Sequence, residues 1–557
     1  MLGRVRVLGR RAESGTPAHG PSSIFAKALR DSRRAILLAG IGLGLGILAV
    51  GQSTAANYAT IAGRQQQILA YSNAPAMGSL FGIPIGIETL GGLVSWRDAS
   101  LIVLILGMWS IVALSGALAG EVSAGSADIL VAMPISRRRI AAEKVAAHIV
   151  ALGLIAVILA GAAWLTGIVF ARLPGDSIAF TDALADFLGL GLLALIGGSI
   201  ALALSAWLGK GAGSGLAIAL FLGSFFVFAY QDLVPVFGAI KWLSPFDWTA
   251  HNQPIAGSWD LVSLVPVAGL VAALLASGML AFERRDLGQF ASLPRLRLPA
   301  RSFLLRGPAR RVFLDTRATA LAWGLGLGLA MALIGAGSRA ISKAATADPA
   351  SERVVRQLFG DTDWTSAKGM LQLTFVWFGY LIMALAATTF LRSLAADERQ
   401  RRLEMVLATP VSRARWLISG GLGVLGSVAL MTLTIATLIG LGVWAGGQDP
   451  VGPFLGVWAG GLYAAALVGI ALAVLGLGGV EIAPAVPVVL GIGFFFLDTM
   501  ANLLRLPSAI TSLCLTHYLG RPMVGTWDWP GMALLAGIAV AGIAVGAWAM
   551  NRRDVTK

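Results

Sequence analysis

Two polar segments, 121–139 and 397–415, hold the side chains whose types and spacing could do chemistry. At an offset of 276 residues they share an acidic residue, an alanine, a proline and a Ser-Arg pair. Charged groups beside a rigid turn can bind a partner through ion pairs and hydrogen bonds. The repetition predicts a docking surface presented twice, for a partner that also comes in two copies. The predicted coupling residues are Glu121, Asp128, Pro134, Ser136 and Arg137 in the first copy, and Asp397, Glu398, Glu404, Pro410, Ser412 and Arg413 in the second.

Local rules predict a helix–turn–helix elbow in each segment. Proline disfavours helix at the residue before it, so the first helix of each elbow should end near Met133 or Thr409. Ser136 and Ser412 can cap the helix that follows. The alternative is a pair of duplicated loops with arginines placed by the positive-inside rule. Loops placed only by the positive-inside rule would not need an acidic residue and a proline at fixed positions. The repetition of both therefore favours the docking interpretation.

Other reactive arrangements are missing from the sequence. There is no G-x-x-x-x-G-K-[ST] phosphate loop, nucleophile elbow or H-E-x-x-H motif. Four scattered histidines and the single Cys514 give neither metal-ligand spacing nor an intrachain disulfide. We therefore predict no catalytic residue, no metal site and no cofactor in this chain, which does not hydrolyse ATP by a phosphate-loop mechanism.

The elements that position the two segments are membrane helices. The chain is 57% hydrophobic and 13% charged, whereas soluble domains carry about 25% charge. A bilayer needs about 20 apolar residues per helix, and transmembrane β-strands would be shorter and alternating. The sequence thus predicts an all-α polytopic membrane protein with twelve transmembrane helices. The apolar runs are 35–52, 101–119, 145–170, 184–208, 213–231, 261–282, 320–338, 372–391, 417–445, 454–477, 482–500 and 530–549.

The duplication extends beyond the elbows. Pro254-x-x-Gly-x-Trp-Asp and the Arg-Arg-Asp at 284–286 recur 268 residues later. Since each half has an even number of spans, the two six-helix repeats are parallel. The predicted domains are a cytoplasmic leader (1–34), a first repeat (35–286), a cytoplasmic linker (287–312) and a second repeat (313–554). Residues 22–34 of the leader are predicted to form an interfacial helix capped by Ser22 or Ser23; an ordinary positive-inside flank is the alternative.

Charge sets the predicted orientation. With both termini cytoplasmic, 31 of the 42 Lys and Arg residues fall on the inside, as the positive-inside rule requires. The net charge of +14 is therefore a topology signature, and we expect contacts with membrane lipids and none with nucleic acid. The excess of Arg over Lys, with many Ala and Gly residues, suggests a bacterial plasma membrane.

The pattern E…(D/E)-x-L/V-x-A-x-P-[IV]-S-R resembles the cytoplasmic coupling segment of ABC type-2 exporter permeases, and the resemblance covers residues 22–557. The Pro-x-x-Gly-x-Trp-Asp loops and Arg-Arg-Asp exits resemble the antibiotic-exporter branch, of the tetronasin and polyketide type. Residues 125–128 and 401–404 depart from the Gly-Thr-Leu-Glu motif that is common in this group. Whether the two docking sites are equivalent therefore stays open.

This resemblance implies a permease subunit that exports a hydrophobic or amphipathic compound, such as an antibiotic, drug or lipid. It also implies a separate ABC ATPase, in two copies, that carries ATP and Mg. The fifth helix of each half would line the substrate pathway with the second. Aromatic walls suit a bulky apolar molecule, but lipid-facing or packing roles are the alternative. The predicted pathway residues are Phe225, Phe226, Phe228, Tyr230, Phe494, Phe495, Phe496 and Asp498.

Two other functions stay open at this stage. An ion-coupled secondary transporter would need Asp, Glu or His side chains buried along its spans, and the apolar runs contain almost none. A non-transporting assembly or sensory subunit would explain docking elbows, but it would explain the twofold repeat less readily.

Overall fold

The computed structural model describes residues 23–72, 82–117, 136–232, 234–284, 307–345, 366–399, 402–504 and 507–553. Ten of the described helices are long and apolar enough to cross a membrane. The chain is therefore an all-α, multi-pass membrane protein. The only described strands, β1 (Gly520–Arg521) and β2 (Thr526–Trp527), form a small antiparallel pair.

The described part of the first half contains five long helices and three short ones. The long α1 is one helix from Ile24, so the predicted interfacial helix is its first part and not a separate element. Ser23 caps it, as one of the two predicted caps, by accepting a hydrogen bond from the Ala26 N–H. The helices are α1 (Ile24–Asn57), α2 (Ile61–Ser72), α3 (Leu90–Ala117), α4 (Arg137–Val169), α5 (Phe180–Ala229), α6 (Pro235–Ile240), α7 (Pro245–Trp248) and α8 (Leu264–Arg284).

The described part of the second half contains nine helices. Its second helix contains a π-helical turn at Phe375–Gly379, between α10 and α11. The helices are α9 (Pro308–Ala345), α10 (Ala367–Thr374), α11 (Tyr380–Arg399), α12 (Arg402–Leu407), α13 (Arg413–Ala445), α14 (Val451–Gly476), α15 (Val486–Leu504), α16 (Ser508–Thr511) and α17 (Trp529–Arg552).

The difference between ten helices and twelve predicted runs has two causes. The runs 184–208 and 213–231 are both contained in α5, which is interrupted at Gly209 by non-helical backbone with φ 78°. A Cβ built on Gly213 would lie 2.6 Å from the Cα of Ser205, so the two arms of α5 fold back on each other at this turn. The run 482–500 corresponds to a shorter apolar helix, Ala483–Asp498.

The two outer loops share one local structure. A 3₁₀ turn at Pro254–Ala256 is followed by left-handed Gly257, and Pro522–Val524 is followed by left-handed Gly525. Glycine fits here because it adopts positive φ without steric cost. Asp260 and Asp528 then each accept a backbone hydrogen bond that begins the next helical segment. The sequence repeat at an offset of 268 is thus a repeat of backbone geometry.

The pattern of buried and exposed side chains is the one expected in a membrane. The helices pack on each other around small residues, while large apolar side chains on one face of α4 stay exposed, including Leu154, Val157 and Trp164. Exposed apolar faces on long apolar helices are those that contact lipid. This arrangement leaves the helix ends and the elbow between α11 and α13 as the polar surfaces of the described chain.

Candidate functional site

The second copy of the repeated segment forms an elbow. Its short helix α12 ends at Leu407, two residues before the predicted end, and Pro410 follows in the turn. Leu403 is fully buried and anchors the short helix to the bundle. Ser412 accepts a hydrogen bond from the N–H of Arg415, which confirms its predicted capping of α13. The elbow is therefore held in one orientation on the bundle.

Two acidic residues attach the elbow to helices of the same half. Asp397 accepts a hydrogen bond from Arg311 of α9 at 2.8 Å, and only 4% of the Asp397 side chain is exposed. Glu398 is paired with Arg553, just beyond α17. Arg413 also donates to the Arg553 carbonyl. The predicted coupling residues Asp397 and Glu398 therefore face their own bundle, where they bind the first and last helices of the repeat.

The outward face of the elbow has a different composition. Met405 is 68% exposed, and Glu404, Pro410 and Ser412 are exposed beside it. A flexible apolar side chain next to a carboxylate is a surface that a partner groove can bury and orient. The elbow thus has an acidic base that is fixed on the bundle and a tip that is exposed.

The first copy is described only from its last residues. Glu121, Asp128 and Pro134 lie outside the described residues. Ser136 caps α4 by accepting from the Arg139 N–H, the same geometry as in the second copy. Arg137 begins the helix. Glu143, one turn on, pairs with Arg139 and accepts from the N–H of Phe25 at 3.0 Å, so α1 is tied to α4 at this end.

The first aromatic set lies on the second arm of α5. Phe225 and Phe228 pack against Phe246 of α7, with ring centroids 5.5 and 6.3 Å apart. Phe225 also lies 6.5 Å from Phe378 of the second half. Phe226 stacks on Tyr230, and all four predicted residues are buried. These rings join the fifth helix to an outer segment and to the other half; their lining of a pathway stays a prediction.

The second set lies on α15 and differs in polarity. Phe495 is buried and meets the partly buried Phe496 edge to face at 5.7 Å. Phe494 is partly buried, and its carbonyl accepts from the Cys514 thiol. Asp498 accepts a hydrogen bond from Thr516, at the position that Phe228 occupies in the first half at an offset of 270. An aromatic contact in one repeat is therefore a hydrogen bond in the other.

The two halves meet along two interfaces, here called seams, and these are unequal. One seam lies between α5 and α9, and the other between α1 and α15. A Cβ built on Gly215 of α5 would lie 2.2 Å from the Ala322 carbonyl of α9, so the two backbones touch. On the other seam, a Cβ on Gly42 of α1 would meet only the Phe496 ring, at 3.5 Å. Leu38 is exposed there, whereas Ala322, 284 residues later, is buried. One seam is closed by glycine packing and the other is spaced by a ring.

Sequence analysis overlooked several buried polar groups within the helices. Asp186 accepts hydrogen bonds from Ser95 and from the Ile255 N–H of the outer loop, and Gln372 accepts from the equivalent Met523 N–H. His148 and Ser110 are hydrogen-bonded at 2.8 Å. Asp98 is buried as well. The spans thus hold more ionisable groups than expected, but Asp186 serves to hold the outer loop. The signal available in the sequence was an acid inside an apolar run.

Comparison with known proteins follows the same division into halves. Residues 22–287 match the family model described as ABC-2 family transporter protein. Residues 305–551 match the C-terminal domain of the multidrug efflux system permease Rv1217c. Each half of the chain is thus similar to a family of transporter proteins. It is 27% identical to the multidrug efflux system permease protein Rv1217c of Mycobacterium tuberculosis over 568 aligned residues, which cover 100% of this chain and 99% of that protein.

The two matches indicate the kind of protein that this chain resembles. One model describes a transporter protein and the other a domain of an efflux permease. Within the described part of the chain, no group of three or more His, Cys, Asp or Glu side chains could hold a metal ion. The elbow is therefore considered as a protein-binding surface.

Proposed function

We propose that this chain is an ABC-2 type permease, the membrane subunit of an ATP-driven exporter, docked by a separate ABC ATPase in two copies. ATP and Mg belong to that partner. The observation that carries the proposal is the second elbow, whose base is fixed by Arg311 and Arg553 and whose tip exposes Met405. A tip held rigidly across helix ends transmits a partner's movement to the bundle, whereas a flexible loop would absorb it.

We also propose twelve crossings, arranged as two parallel repeats of six. The turn at Gly209 and the close approach of Gly213 to Ser205 support two crossings within α5. The apolar α15 supports a further one at the equivalent place in the second half. An even number of crossings in each half brings both elbows, and both termini, to the cytoplasmic side of a bacterial plasma membrane.

The proposed cargo is a hydrophobic or amphipathic compound moved out of the cell. The relative is named for multidrug efflux, and this function supports the class. The buried aromatic residues on the fifth helices support it too, because such side chains bind apolar surface without specific hydrogen bonds. Within this class we favour the antibiotic-exporter branch, on the repeated outer loops and the Arg-Arg-Asp exits.

The test is reconstitution of the full chain with a candidate ABC ATPase, followed by ATP hydrolysis and ATP-dependent uptake of a lipophilic dye into inverted vesicles. We expect Met405→Asp and Glu404→Lys to lose ATPase binding and dye transport while the permease still folds. Glu283→Lys is the matched control, because this exposed cytoplasmic acid at the end of α8 lies outside the elbow.

Three results would refute the proposal. Dye transport that needs an ion gradient and no ATPase would favour secondary transport. Binding of an ATPase that is unchanged by both elbow variants would mean that the tip is not the docking surface. A complex that binds ATPase but moves no compound would favour a non-transporting subunit.

A further inference from the structure

The end of α3 that leads into the first repeated segment lies against two lysines. Lys144 of α4 donates a hydrogen bond from its ammonium to the Ala117 carbonyl at 2.8 Å. The Lys210 ammonium lies beside the preceding residue, 3.5 Å from the position that a Cβ on Gly116 would occupy. A cation at the C-terminal end of a helix is stabilised by the helix dipole. Both lysines therefore hold this helix end in place.

The two lysines attach the end of α3 to different parts of the bundle. Lys144 belongs to α4, whereas Lys210 lies in the turn between the two arms of α5, directly after Gly209. The second arm of α5 begins at this turn and carries the buried Phe225 and Phe228. Of the two contacts, that of Lys210 therefore joins the end of α3 to the start of the fifth helix.

The same turn of α5 also touches the other half. A Cβ built on Gly211, the residue after Lys210, would lie 2.3 Å from Thr319 Oγ1 of α9. One turn further on, a Cβ on Gly215 would lie 2.2 Å from the backbone of Ala322. These distances leave no room for a side chain, so the turn rests directly on α9. Lys210 thus lies between the end of α3 and the closed seam.

The helix on the far side of this seam also holds the base of the second elbow. Arg311 of α9 pairs with Asp397 at that base. It precedes Thr319 by about two turns, or about 12 Å along α9. Rigid helices carry a displacement from one contact to the next. A movement of the α5 turn would therefore reach the second elbow through α9.

The second half joins the corresponding elements with different side chains. Arg399, at the end of α11, lies 3.8 Å from Glu481 in the turn between α14 and α15. Here the cation is on the helix end and the anion is on the turn. Because the Glu481 side chain is 79% exposed, this ion pair is weak. Two different arrangements thus connect the helix before an elbow to the turn before a fifth helix, which supports a role for the connection itself.

We propose that Lys210 is a positioning residue for coupling. Its contact with the end of α3 passes a movement of the first elbow to the fifth helix and, through the α5 turn, across the closed seam to α9. Loss of the ammonium leaves the elbow tips unchanged, so the ATPase still docks, but docking is then poorly connected to the pathway. This inference rests on the proposed function, because a partner ATPase must supply the movement.

The test uses the full chain reconstituted with the ATPase, and measures ATPase affinity, dye-stimulated ATP hydrolysis and ATP-dependent dye transport. Lys210→Met keeps the length of the side chain and removes its charge. We expect maximal stimulation, and the dye moved per ATP, to fall about fivefold. The ATPase affinity and the dye concentration for half-maximal stimulation stay the same. Gly116→Leu fills the space of the ammonium from the other helix and has the same effect, whereas Lys210→Arg keeps most of the coupling.

Lys144→Met is the matched control, because it also releases the end of α3 but leaves the α5 turn untouched. It should lower thermal stability and keep the amount of dye moved per ATP. An equal loss of coupling in Lys144→Met and Lys210→Met overturns the inference, as does coupling that survives both Lys210→Met and Gly116→Leu; in either case the proposed function stands. A wild-type chain that binds and stimulates no ATPase refutes the proposed function, and this inference with it.

Discussion

The guanidinium of Arg311 lies 2.8 Å from the carboxylate of Asp397, which joins the first helix of the second half to the base of the elbow. The same guanidinium lies 3.7 Å from Asp315, one turn along its own helix. Asp397 is 4% exposed and Asp315 is 56% exposed, so the two carboxylates differ in how much water competes for the arginine. The two ion pairs of Arg311 therefore allow a matched comparison, since one is buried and the other is solvated.

Asp397→Ala is expected to lower the free energy of unfolding by about 1–2 kcal/mol, because a buried, charge-assisted hydrogen bond is lost. It should also reduce stimulation of the partner ATPase by substrate, since the elbow loses its attachment to α9. Asp315→Ala should cost less than about 0.5 kcal/mol and leave stimulation intact. Denaturation with SDS and ATPase assays measure both. Equal effects of the two variants would show that Asp397 has no special role in the elbow.

Ser136→Ala and Ser412→Ala form a second matched pair. Each serine caps a helix of 33 residues with the same hydrogen bond, to the backbone N–H of Arg139 or Arg415. Each alanine variant should lose about 1 kcal/mol of stability. If the elbows act only as capped turns, stimulation of the partner ATPase should fall equally in both variants. A larger loss of coupling in one variant, at equal stability, would show that the two docking sites are not equivalent.

Local features of the fold could be predicted from the sequence. The Ser136 and Ser412 caps depend on residues within three positions, so the sequence alone contains the information. The two apolar runs predict a turn near Gly209. They do not predict how tight the turn is, because this depends on Gly213 fitting against Ser205. The membrane class follows from composition, which averages over such details.

Long-range partners could not be predicted. The charge of Asp397 is visible in the sequence and predicts a docking residue. Its partner Arg311 lies 86 residues away, and the sequence does not show that the Asp397 carboxylate points toward it. The unequal seams were hidden for the same reason. Gly42 and Gly326 are equivalent glycines, and only the helix opposite each of them decides whether it meets a ring or a backbone.

Gly215→Ala should separate the closed seam. The added methyl group would lie 2.2 Å from the backbone of Ala322, which cannot move without shifting α9. We expect a loss of about 2–3 kcal/mol in the free energy of unfolding. Gly153→Ala in α4 is the control, because nothing lies within 4 Å of its added methyl group, and it should change stability by less than about 1 kcal/mol. Stability of Gly215→Ala equal to the control would mean that the seam is not tightly packed.

Asp176 lies between α4 and α5 and pairs with Arg64 of α2 at 3.2 Å, with both side chains almost fully buried. Burial by itself would raise the pKa of Asp176. Hydrogen bonds from the backbone N–H groups of Arg172 and Leu173 and from Arg64 outweigh it, so the pKa lies below its ordinary value of 3.8. A carboxylate with a depressed pKa stabilises the fold above its unfolded pKa, and this stabilisation is lost as pH falls through the folded pKa.

Asp176→Asn should therefore lower the free energy of unfolding by about 3 kcal/mol at neutral pH, because Arg64 remains buried without its partner. The difference from wild type should stay constant down to about pH 4 and shrink at lower pH, where wild type also loses the carboxylate. Unfolding measured from pH 7 to pH 2.5 follows this difference. Asp182→Asn, in the first turn of α5, is the control and should cost less than about 1 kcal/mol. A difference that is the same at every pH would mean that ionisation of Asp176 does not contribute to it.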